Sequence, residues 1–115
     1  TNIRALDFFA GQMLWSYTKD KQWVNNKVAH LNDNAAWVTD AFPPFYITDG
    51  NTNSFEVAAK YFALVGESNN VYVQRRYFDR QVYETIHEFQ FDLASEPGVT
   101  LYKDTIDFLE KVTKP

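Results

Sequence analysis

The most constraining feature of this chain is a pair of short β-type runs with a helical period between them. Pro43-Pro44 enforces an extended entry, and Phe45-Tyr46-Ile47-Thr48 is an apolar run of strand type closed by the turn signal Asp49-Gly50-Asn51. Ser54 then reads as an N-cap for a helix over about 55–65, where Phe55, Ala58, Ala59, Phe62 and Val65 recur at three- and four-residue steps before Gly66. Ser68-Asn69-Asn70 makes the next turn, and Val71 to Phe78 is rich in β-branched and aromatic residues. Leu101, Thr105, Phe108 and Val112 mark a last amphipathic helix after the breaker Pro97-Gly98. Strand, helix, strand, helix implies an α/β domain with a parallel sheet.

The first third of the chain reads differently. Leu6, Phe9, Ala10, Met13 and Tyr17 share one helical face, which predicts a helix over 3–17. Residues 18–36 mix Lys, Asp and Asn with isolated apolar side chains and read as loop. Two strands are too few for a parallel sheet, which needs cover on both faces and usually four or more strands. The missing strands must come from a second copy, from a larger sheet of which this is a fragment, or from the 3–17 region. The chain opens Thr1-Asn2-Ile3-Arg4, without Met or a signal-peptide layout, which points to a piece of something longer.

Composition narrows the function classes. Hydrophobic residues at 45% and aromatics at 17% supply a core. The net charge is −4, with 11 Lys and Arg scattered along the chain, which speaks against a nucleic-acid or anionic-membrane surface. With no cysteine, disulfides, thiolate metal sites and cysteine nucleophiles are excluded. No apolar run reaches the roughly 20 residues of a membrane span. A small-molecule or protein partner fits best.

Two histidines bear on chemistry. His30 lies among Asn and Asp and reads as a solvated or capping side chain. His87 sits between the second strand and the last helix, where an α/β sheet presents reactive groups at the carboxyl ends of its strands; its plainer reading is a loop histidine bonded to Glu88 or to backbone. Glu84 and Glu88 flank it as a polar surface stretch rather than as a glycosidase pair, and no second histidine or cysteine at ligand spacing makes a zinc site. Trp15, Trp23 and Trp37 serve as core, pocket lining or a docking face.

Phe42-Pro43-Pro44-Phe45-Tyr46-Ile47-Thr48-Asp49-Gly50-Asn51-Thr52-Asn53-Ser54-Phe55 resembles the strand that leads to the triad acid in α/β-hydrolases of the acetylesterase and hormone-sensitive-lipase type. His87-Glu88-Phe89-Gln90 is similar to the His-Gly-Phe segment of that family, and Thr105 to Leu109 resembles its terminal helix; the likeness spans residues 41–112. It implies the C-terminal part of a doubly wound, mostly parallel sheet over 39–115, preceded by a cap-like or lid-like segment over 1–38. It also implies a carboxylic-ester hydrolase with a small ester substrate, no cofactor and no metal, and His87 as general base. Ser16, Ser54, Ser68 and Ser95 all lack the glycines of a Gly-x-Ser-x-Gly elbow, so the nucleophile lies outside this chain, which alone is inactive and self-associates or pairs with an N-terminal part. Asn53 falls at the position of the acid. An amide there keeps the shape and loses the charge, an exchange costing roughly 10⁴ in turnover in a serine protease; either the intact protein is a weak or inactive hydrolase, or another carboxylate such as Asp49 or Asp79 takes the role. The alternative is a free-standing small α/β binding module, dimeric and with a structural His87.

Overall fold

The computed structural model describes residues 3–9 and 37–114. Three parallel strands, β1 (Leu6–Phe9), β2 (Phe45–Thr48) and β3 (Val73–Arg76), form a sheet in the order β1-β2-β3. Leu6 pairs with Phe45 and Phe45 with Val73, and the register runs unbroken to Phe9, Thr48 and Arg76. Helix α1 (Glu56–Ser68) connects β2 to β3, and α2 (Glu96–Thr113) closes the chain after a 3₁₀ turn at Phe89–Phe91. This is a small α/β arrangement with a helix packed on each face.

All four residues of β2 are buried, as a strand covered on both faces requires. Because side chains alternate along a strand, Phe45 and Ile47 join Ala59, Phe62, Ala63 and Val71 under α1, with Leu6, Phe8 and Val73 alongside. Tyr46 points the other way, into Phe89, Leu101 and Phe108. Its hydroxyl donates to Asp104 Oδ2 at 3.0 Å, and Arg76 grips the same carboxylate through Nε at 2.7 Å and Nη2 at 3.1 Å. One aspartate therefore ties α2 to two strands.

Several expectations are corrected. Residues 6–9 are a strand and not the start of a helix over 3–17; the rest of that helix, and the loop reading of 18–36, fall outside the described residues apart from 3–5. A run of four residues carries no decisive period, and pairing with β2 decides it: Leu6 and Phe8 face α1 while Phe9 faces α2. Ser54 does not cap α1; Phe55 holds that position with no side-chain cap. Gly66 does not end α1. It lies inside it, where a Cβ would come within 2.8 Å of the Phe45 ring, and the helix stops two residues later, before Asn70 turns the chain at φ 64°. Pro97-Gly98 is not a breaker ahead of the last helix but its first turn: Ser95 caps it by accepting from Gly98 N at 3.1 Å, and proline suits that turn because its missing N–H has no partner there.

Among the described residues no helix is long and apolar enough to cross a membrane.

Candidate functional site

The carboxyl end of β2 leads directly into Asp49, and the segment after β3 carries His87 back over it. Two residues make that return possible. Gly50 lies so close to the returning backbone that a Cβ there would sit 2.5 Å from Ile86 O and 2.7 Å from Thr85 O. Asn51 then binds that backbone on both sides: its amide donates to Phe78 O at 3.0 Å and Tyr83 O at 2.9 Å, and its Oδ1 accepts from Thr85 N at 2.9 Å. Thr85, itself buried, accepts from Asn51 N at its hydroxyl and from Thr52 N at its carbonyl, both at 3.0 Å. This latch sets residue 87 against residues 49–55.

Asp49 is fully buried. Its Oδ1 accepts from Gly50 N at 2.8 Å, from Phe55 N at 3.3 Å and from the Ser54 hydroxyl. Its Oδ2 is buried with no hydrogen-bond partner among the described residues. Burial pushes the Asp49 carboxyl above its ordinary value, opposed by the three donors and by the His87 charge. Ser54 Oγ lies 3.0 Å from His87 Nδ1, so the three side chains form one connected series. The Phe55 ring meets the imidazole edge to face at 6.0 Å, which fixes the plane of the half-exposed ring.

The other imidazole nitrogen, Nε2, lies 4.0 Å from Glu88 Oε1. Glu88 takes a left-handed backbone, φ 64°, a conformation that costs about 1 kcal/mol for a residue with a Cβ. It turns the chain into the 3₁₀ turn immediately after His87. The chain neighbours of His87, Ile86 and Glu88, though not the imidazole itself, line a cleft of about 720 Å³ that continues along Tyr83, Phe89, Phe91 and Pro97. Its size and aromatic walls suit a small organic molecule.

Of the residues singled out from sequence, Asp49 and His87 are brought together. Asn53 is not in this series: it is exposed, in a left-handed turn at φ 55° that asparagine adopts more readily than most residues. Asp79 is exposed and occupied locally, its Oδ1 accepting from Gln81 N at 2.8 Å. Glu84 pairs with Arg80 at 3.8 Å on the surface. Trp37 is exposed. His30, Ser16, Trp15 and Trp23 fall outside the described residues. Sequence reasoning missed Asn51 and the bridging place of Ser54. The signal for Asn51 was its place directly after a strand and a glycine, where a side-chain amide can stand in for backbone.

No family model, no curated protein and no solved structure matches this chain.

Proposed function

We propose that this chain is the acid- and histidine-bearing C-terminal portion of a serine carboxylic-ester hydrolase, with His87 as general base and Asp49 as the carboxylate behind it. The observation that carries this reading is the series Asp49–Ser54–His87 at the carboxyl end of β2. It supplies what a base in acyl transfer needs: a carboxylate that orients the ring and favours its charged form. The left-handed backbone at Glu88 adds support, because the family segment that His87-Glu88-Phe89 resembles carries glycine at that position, and glycine takes this conformation without strain. The cleft beside Ile86 and Glu88 offers room for an ester of modest size.

In the intact protein a serine supplied by polypeptide outside this chain attacks the ester carbonyl, and His87 takes its proton. The alcohol leaves with that proton; water then attacks the acyl-serine with His87 again as base, the bond from the acyl carbon to the serine oxygen breaks, the carboxylic acid leaves, and the serine oxygen takes the proton back from His87. Asp49 takes the part expected of an acid at Asn53.

The experiment is hydrolysis of a short-chain aryl ester by the product of the complete reading frame that encodes this chain. His87→Ala is expected to abolish turnover while leaving the thermal transition in place. Retained turnover, or a reading frame with no serine elbow before residue 1, would overturn the proposal and leave the small binding module in its place.

A further inference from the structure

The contacts around Ser54 go beyond joining an acid to a base. Asp49 Oδ1 collects three donors: two backbone N–H groups and the Ser54 hydroxyl. An oxygen used this way acts as an acceptor only. The hydroxyl of Ser54 has a single proton, and that proton points to Asp49. What Ser54 turns toward His87 Nδ1, 3.0 Å away, is therefore a lone pair. Two lone pairs do not face each other at hydrogen-bond distance, so Nδ1 carries a hydrogen and donates it.

We infer that Ser54 is a positioning residue that holds His87 in its Nδ1–H tautomer through a hydroxyl relay from Asp49, leaving the Nε2 lone pair free for proton abstraction. This deepens the hydrolase reading and rests on it for its purpose, though not for its geometry. A neutral imidazole free in water prefers the opposite tautomer, with the hydrogen on Nε2, so the protein must supply the reversal. The relay works unchanged when the ring becomes charged: Nδ1 still donates to Ser54, Ser54 still donates to Asp49, and only Nε2 gains a proton. No rearrangement behind the ring accompanies the catalytic step. The place of Ser54 explains why it does not cap α1, since its hydroxyl is already committed on both sides. It also explains a serine without an elbow beside a catalytic-type histidine: its oxygen is bound to a carboxylate and is not aimed into a substrate cleft.

The test is a long-range ¹⁵N–¹H correlation spectrum of the imidazole rings of the intact protein, recorded near pH 8.5, about two units above the ordinary histidine pKa. The wild-type His87 ring is expected as the Nδ1–H tautomer, with a nuclear Overhauser contact from Hδ1 to the Ser54 Hβ protons. Ser54→Ala is expected to lower the ratio of the Nδ1–H to the Nε2–H form about tenfold, the scale of one hydrogen bond, and Ser54→Thr to keep the wild-type form. A wild-type ring with hydrogen on Nε2 overturns the inference, as does a tautomer ratio indifferent to Ser54→Ala. If Ser54→Ala does not fold, the wild-type spectrum and its Hδ1 contact decide alone. The readout is independent of turnover: an ester left untouched with the Nδ1–H form present removes the hydrolase and keeps the relay, and the converse result removes the relay alone.

Discussion

The two ends of β2 are held by different physics. At its start, Phe45 and Ile47 are sealed under α1 by Phe62, Ala59, Ala63 and Val71, a contact set in which area removed from water does the stabilising and any side chain of similar volume serves. At its end, the turn at 49–55 and the return at 78–87 touch through single polar atoms, with the Asn51 amide bound to three backbone groups of the return, the Thr85 hydroxyl accepting from Asn51 N, and Asp49 Oδ1 accepting from Gly50 N. The first kind of contact contributes stability alone. The second sets where His87 lies.

That contrast is open to direct attack. Phe62→Ala removes a buried ring from the α1 layer and is expected to cost the most, about 3–5 kcal/mol in denaturant unfolding, while the His87 ring resonances of the molecules still folded stay in place. Gly50→Ala drives a methyl into the Ile86 and Thr85 carbonyls and is expected to cost about 3 kcal/mol. Unlike Phe62→Ala, it should displace the His87 resonances. Asn51→Ala leaves two carbonyls and one N–H without their bonds; a loss of about 2–4 kcal/mol with a moved histidine is expected. If either loop variant leaves the histidine spectrum unchanged, the latch does not position it.

Smaller effects separate the acids. Burial raises the Asp49 carboxyl above its ordinary value of 3.8, so the folded state holds that proton more tightly than the unfolded chain does. The stabilisation this gives is complete below pH 3.8 and is lost as pH rises through the raised value. Asp49→Asn removes the titration and keeps an oxygen for Gly50 N and Phe55 N, so unfolding free energy plotted against pH should lose the fall that begins above 3.8; a plot superimposable on wild type would mean Asp49 does not titrate there. Glu88→Gly relieves a left-handed backbone and is expected to raise stability by up to about 1 kcal/mol, the smallest effect of the set; a decrease would show that the Glu88 side chain contributes more than its strain costs.

The same division explains what could be read from the sequence. The strand at 45–48, both helices of the second half and the parallel arrangement follow from apolar period and turn signals, because such packing tolerates substitution and therefore writes a repeating pattern. Leu6-Asp7-Phe8-Phe9 did not announce itself, since four residues satisfy a helical stripe and a strand equally and only the partner strand decides. Of the site, His87 stood out by its place after a strand. Asp49 was legible only as one of three candidates, because Asp79 carries the same carboxylate and Asn53 holds the position that the resemblance gives to the acid, and what sets Asp49 apart from both is burial. The bridging by Ser54 left no pattern, as it depends on a fold contact across 33 residues.

The central claim is that Asp49, acting through Ser54, is the carboxylate behind His87. Its most direct test is aryl-ester turnover by the intact protein carrying Asp49→Asn, set beside Asn53→Asp. The account predicts a fall in kcat of about 10³–10⁴ for Asp49→Asn and no change for Asn53→Asp. Undiminished turnover in Asp49→Asn together with a gain in Asn53→Asp would contradict it and return the acid to position 53.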